Sequence, residues 1–138
     1  MQRILIVDTD TYICNLLRSF LKEEGYETDI AFSGDSAKRK LISKKFNLVL
    51  CDYRLPDIND FELVEYIKKQ NRNTTVIIMT AYAEIRTAVR AIKMGAYDYV
   101  SKPIYPDEIK NIVNKALGKK ILQSSGGGKP KYQFNRDF

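Results

Sequence analysis

Five short runs, residues 4–7, 27–31, 47–51, 75–80 and 97–100, are separated by segments of helical period, and this alternation most limits what the chain can fold into. The third run, Asn47-Leu48-Val49-Leu50-Cys51, has no apolar–polar alternation, which is the mark of a strand buried on both faces. The fourth, Thr75 to Thr80, is apolar and β-branched almost throughout. Charges in the second, Glu27 to Ala31, predict an edge position. Strands alternating with helices at short spacing predict an α/β fold, a parallel doubly wound sheet with five helices on its two faces.

The helices follow from apolar spacing. Ile13, Leu16, Leu17, Phe20 and Leu21 recur at helical intervals before a closing Gly25. A second helix is predicted over about 35–45, with Ala37 and Leu41 inward and Lys38, Arg39, Lys40, Lys44 and Lys45 on a solvated face. A third covers about 60–70, burying Leu63, Val64 and Ile67. The fourth, about 84–94, is predicted to bury Ala88, Val89 and Ile92 and to end at Gly95. Pro106 opens the fifth, whose inward stripe is Ile109, Ile112, Val113, Ala116 and Leu117.

Two cysteines and no histidine among 138 residues leave no basis for a zinc site or for a histidine-activated nucleophile. Cys14 and Cys51 read as small apolar fillers. No run is long enough to span a membrane, and no signal peptide precedes the first strand, so a cytoplasmic location is expected. The net charge of +6 is unevenly spread: residues 119–138 carry five basic groups against Asp137. The remainder is nearly balanced, so no direct nucleic-acid contact is expected of this chain. Residues 1–118 thus read as one domain. Ser124-Ser125-Gly126-Gly127-Gly128-Lys129-Pro130 reads as flexible linker within 119–138, with a native disordered tail as the other reading and a missing C-terminal output domain as the expected continuation.

Several strands end in polar groups: Asp8, Asp52, Thr80 and Lys102. In open parallel sheets chemistry gathers at the carboxyl ends of strands. Taken alone, Asp52 reads equally as a turn-former ahead of Pro56. Taken together, two carboxylates and a backbone carbonyl make the hard oxygen set that Mg²⁺ accepts, and a hydroxyl and an ammonium beside them suit a phosphoryl group. Such a site would place a phosphoryl group on a carboxylate. A cis Lys102–Pro103 peptide would aim the lysine inward.

Ile-Leu-Ile-Val-Asp at 4–8, Leu-Cys-Asp-Tyr-Arg-Leu-Pro at 50–56, Ile-Met-Thr-Ala at 78–81 and Ala-Tyr-Asp-Tyr-Val-Ser-Lys-Pro at 96–103 resemble the receiver domain of two-component response regulators. The resemblance covers residues 1 to about 118. It implies the flavodoxin-like strand order 2-1-3-4-5. It further implies that Asp52 accepts a phosphoryl group from a histidine kinase or phosphotransfer protein, and that Asp8, Asp52 and the Arg54 carbonyl hold Mg²⁺. Thr80 and Lys102 would contact the phosphoryl oxygens, and Tyr99 would be the switch aromatic, a core role being its alternative. The surface of helix 4, strand 5 and helix 5 would carry the output and a possible homodimer. Such a domain is a phosphoacceptor rather than an enzyme, assisting only its own phosphorylation and dephosphorylation. The stretch 80–99 is similar to receivers of the nitrogen-regulation type, which precede an ATPase and a DNA-binding module in sigma-54-dependent transcription regulators. Arg86, Arg90 and Lys93 would then offer a partner surface or simply a solvated basic face.

Two positions depart from that pattern. Thr9 stands where such receivers usually carry a second acidic residue, which predicts weaker Mg²⁺ binding and slower phosphorylation. Asp10 could substitute, although capping the first helix is the role its position predicts. Asp60 stands where glycine is usual, and Asp tolerates a left-handed backbone. Thr9 also opens a second reading, a phosphorylation-independent pseudo-receiver that acts as an interaction module. A third reading rests on Asp8-Thr9-Asp10-Thr11, which matches the Asp-x-Asp-x-Thr loop of haloacid-dehalogenase-like phosphatases with Asp8 as nucleophile, but it lacks that family's later acidic motif and leaves Asp52 without a role.

Overall fold

The computed structural model describes residues 1–81 and 85–118. Its strands are β1 (Arg3–Val7), β2 (Glu27–Ala31), β3 (Leu48–Asp52), β4 (Thr75–Thr80) and β5 (Asp98–Ser101). The helices that follow them are α1 (Thr11–Glu23), α2 (Gly34–Ser43), α3 (Glu62–Gln70), α4 (Ile85–Lys93) and α5 (Pro106–Ala116). All strand pairs are parallel, in the order β2-β1-β3-β4-β5, with β2 at an edge as its charges predict.

Both faces of the sheet are covered, which is why β3 shows no polar alternation. Leu48 and Leu50 pack with Leu17 and Leu21 of α1 and with Ile109, Ile112 and Val113 of α5. Val49 and Cys51 point the other way, onto Leu63, Val64 and Ile67 of α3, Ala37 of α2 and Ala91 of α4. Neither cysteine is bonded to another. A polar tie joins α5 to the start of β2: the Tyr26 hydroxyl donates to Asn114 Oδ1 over 2.5 Å, and burial pushes the phenol up to about 12.

Caps fix the helix ends. The Asp10 carboxylate accepts the N–H groups of Tyr12 and Ile13, so this residue is committed to starting α1. Gly95, at φ +121°, turns the chain out of α4 as the sequence predicts.

Three local expectations need correction. In α4 the residues turned to the sheet are Ala88 and Ala91, while Val89 and Ile92 are 43% and 36% exposed. Small side chains let the helix lie close to β4 and β5, and the more apolar stripe is left outside. The left-handed residue ahead of α3 is Phe61 (φ +67°) rather than Asp60, whose carboxylate accepts from the Tyr53 hydroxyl over 2.8 Å. Finally, the basic run on α2 is only partly solvated. Lys38 pairs with Glu62 and Lys40 with Asp29, at 2.8 Å for the latter, and the helix stops before Lys44. The segment 119–138, read as a linker, lies outside the described residues.

Candidate functional site

Parallel register brings the polar strand ends to one edge. Val7 pairs with Cys51, Asp52 with Met79, and Thr80 with Ser101, so Asp8, Asp52, Thr80 and Lys102 follow one another along the carboxyl rim of β1, β3, β4 and β5. Lys102 is held there by its own N–H, which donates to the Thr80 carbonyl over 2.8 Å, and the Lys102–Pro103 peptide is cis.

The ammonium of Lys102 lies 2.9 Å from Asp8 Oδ2 and 3.4 Å from Asp52 Oδ1. Asp8 is the deeper acid: its side chain is 1% exposed, its Oδ1 accepts the Asp10 N–H at 2.9 Å, and the Cys14 thiol donates to its carbonyl at 3.4 Å. Burial and the charges of Asp8 and Asp10 push that thiol up to about 11, so it remains a protonated donor. Asp52, with 14% of its side chain exposed, faces the opening. Burial, then the neighbouring charge of Asp8, raises its carboxyl above the ordinary range, partly offset by Lys102 and by the Arg54 N–H. Burial alone would lower the Lys102 ammonium, but its bond to Asp8 and the charges of both acids hold it above its usual value. Two carboxylates thus converge on one cation in a largely buried setting that opens at Asp52 and Lys102.

Thr80 is fully buried, and its hydroxyl donates to the Ala81 carbonyl over 3.2 Å rather than to either acid. Tyr99 is half-buried against the layer of α2, α3 and α4; burial and Asp98 raise its phenol. Thr9 is exposed at the rim, and with Asp10 occupied as a cap, Asp8 and Asp52 are the carboxylates that the described residues supply here. Among the described residues no group of three or more acidic, thiol or imidazole side chains is placed to hold a metal ion. Two carboxylates meeting one positive charge, with the Arg54 carbonyl two residues beyond Asp52, still fit Mg²⁺, which commonly takes one or two carboxylates and completes its shell with water and phosphate oxygens.

Other contacts around the site give no sequence signal of their own. Phe61 stacks at a tilt 5.6 Å from Tyr53, and the Arg90 guanidinium of α4 sits 5.3 Å above the Phe61 ring. The Asp57 carboxylate accepts backbone N–H groups at the start of α2.

A five-stranded parallel sheet with two acids and a lysine converging at its carboxyl rim defines the receiver class of signalling domain, and residues 4–114 match the response regulator receiver domain family, to which this chain belongs. It is 39% identical over 122 residues to the transcriptional regulatory protein ZraR of Klebsiella oxytoca, which covers 88% of this chain and 28% of that protein. It is 38% identical over 117 residues to the regulatory protein AtoC of Escherichia coli, covering 85% and 25%. The chain therefore spans about a quarter of the length of these relatives. Among solved structures, NtrX of Brucella abortus superposes with a TM-score of 0.81 at 35% identity, covering 86% of this chain and 27% of that one. A CheY-like receiver domain protein of Methanospirillum hungatei gives 0.80 at 35%, covering 86% and 94%. The resemblance to receivers of sigma-54-dependent regulators stands with these relatives. Among the described residues, no helix is long and apolar enough to cross a membrane.

Proposed function

We propose that this chain is a working phosphoacceptor: Asp52 takes a phosphoryl group from a histidine kinase or phosphotransfer protein, and the new charge is read out to control transcription. The observation that carries the reading is the shared contact of Lys102 with Asp8 and Asp52. Asp52 is also the more exposed of the two acids, so it is the one an incoming donor can meet.

In this reading an Asp52 carboxylate oxygen attacks phosphorus, the bond from phosphorus to the donor nitrogen breaks, and an acyl phosphate results, while the departing imidazole nitrogen takes up a proton from solvent. Mg²⁺ held by Asp8, Asp52 and the Arg54 carbonyl would neutralise charge on the transferring group. Lys102 would release its hold on Asp52 and follow the phosphoryl oxygens, remaining anchored on Asp8. The Thr80 hydroxyl would leave the Ala81 carbonyl for the same oxygens. Tyr99, packed between β5 and the α4 side, would pass the change to the face of α4, β5 and α5, the face also expected to carry a homodimer contact. The added charge is roughly −1.5 to −2.

Intact mass after incubation with acetyl phosphate across a Mg²⁺ titration, with Asp52→Asn alongside, tests this. A Mg²⁺-dependent adduct lost in the variant is expected. No adduct at any Mg²⁺ concentration would leave an interaction module instead, and an adduct surviving Asp52→Asn would move the chemistry to Asp8.

A further inference from the structure

The loop between β3 and α3 carries the Arg54 carbonyl, and one of its side chains is fastened to a different helix. Asp57 Oδ1 accepts the Gly34 N–H at 2.9 Å and Oδ2 accepts the Asp35 N–H at 2.8 Å. These are the first two N–H groups of α2, which have no partner within the helix. The helix does not depend on Asp57 for its cap, because the Ser33 hydroxyl already accepts the Ser36 N–H at 3.1 Å. The Asp57 contact is therefore a second, tertiary use of the same terminus, and what it restrains is the loop.

Neighbouring contacts agree. The Ile58 side chain lies flat on Gly34, where a Cβ would come within 2.6 Å of Ile58 Cδ1. Behind it, the Asn59 N–H donates to Glu62 Oε1 at 3.1 Å, and Glu62 pairs with Lys38 of α2. On the acceptor side the Tyr53 N–H donates to the Met79 carbonyl at 2.8 Å and Leu55 is buried. Between Arg54 and Asp57 run three peptide links, about 10 Å of chain at most, one of them into Pro56. The two N–H bonds keep the Asp57 carboxyl below its usual range, so it stays charged through neutral pH.

We propose that Asp57 is a positioning residue for the acceptor site, its carboxylate clipping the loop to the N-terminus of α2 so that the Arg54 carbonyl is held where the metal needs it. This rests on the reading of Asp52 as a Mg²⁺-assisted acceptor. The clip acts on metal affinity and not on the chemistry of transfer, since Asp57 touches neither Asp52 nor Lys102.

The test compares the wild type with Asp57→Ala, Asp57→Asn and Ser33→Ala, measuring phosphorylation by acetyl phosphate against Mg²⁺ and, separately, Mg²⁺ binding by calorimetry. Asp57→Ala is expected to raise the half-saturating Mg²⁺ about tenfold, the lower end of what losing a ligand-orienting contact costs at metal sites, with the rate at saturating Mg²⁺ retained. Asp57→Asn keeps one acceptor oxygen and should fall between. Ser33→Ala weakens the same helix without touching the loop and should keep the wild-type midpoint. Should Asp57→Ala fail to fold, Gly34→Ala, which displaces Ile58 from the other side, carries the same expectation. An unmoved midpoint in Asp57→Ala, or an equal shift in Ser33→Ala, overturns the proposal. If the wild type takes up no phosphoryl group, the acceptor reading falls, while the ratio of Mg²⁺ dissociation constants still decides the clip. Absence of Mg²⁺ binding by the wild type overturns both.

Discussion

Lys102 donates to Asp8 Oδ2 over 2.9 Å, joining residues 94 positions apart in the chain across the mouth of the sheet. Asp8 is almost fully enclosed, and the Lys102 ammonium is the cation that faces its carboxylate. Replacing Lys102 with Met leaves two carboxylates facing each other without a cation. Breaking a buried pair in this way costs about 3 kcal/mol. Urea unfolding in EDTA should show that loss, and added Mg²⁺ should restore part of it by supplying the missing positive charge. A variant as stable as the parent in EDTA would mean that Lys102 carries no structural weight.

Asp52 should be the opposite case. Burial and Asp8 raise its carboxyl pKa in the folded protein, so the charged form is disfavoured there relative to the unfolded chain. The wild type carries that penalty at pH values above the folded pKa, and it disappears as pH falls towards the unfolded value. Asp52→Asn in EDTA should therefore melt higher than the wild type at neutral pH, with the gap closing through the acid range. A gap that widens on acidification would contradict the assignment.

Thr9→Asp adds a carboxylate at the exposed rim next to Asp8. Affinity for a hard cation rises with ligand charge, and a tightening of Mg²⁺ binding on the order of tenfold is expected by calorimetry. Phosphorylation at limiting Mg²⁺ should accelerate in step. Matching affinities in parent and variant would show that Thr9 costs the site nothing.

The orientation of α4 gives a paired stability test. Ala91 is fully buried against the sheet, and Ala91→Leu overpacks it at a cost of about 1–3 kcal/mol. Val89, 43% exposed, should accept lysine with a change within about 0.5 kcal/mol. Comparable losses at both positions in chemical denaturation would put the helix in the orientation that its apolar stripe implies.

That stripe shows where sequence reasoning stops. Ile85, Val89 and Ile92 form the more apolar row of α4, and hydrophobic spacing alone assigns such a row to the core. Nothing local reveals that alanines are needed for close approach to β4 and β5. The strands were legible because β3 and β4 are uniformly apolar, a consequence of cover on both faces. The convergence of Asp8, Asp52 and Lys102 was legible because parallel register carries every strand end to one rim. The bond from Asp57 to Gly34 and Asp35, 22 to 23 residues away, left no trace in spacing, since Asp after Pro56 looks like any turn. Phe61 rather than Asp60 takes the left-handed backbone, a choice that tertiary contacts with Tyr53 and Arg90 accompany and residue preference opposes.

At the pole away from the acceptor, the Gln2 side-chain amide reaches the Leu117 carbonyl at 3.4 Å. The start of β1 and the close of α5 are thus neighbours. A short peptide splice between them, with the chain reopened at a surface turn such as Asn71–Asn73, would give a circular permutant that inherits the same sheet, because the order in which strands are synthesised is not what holds their rims together.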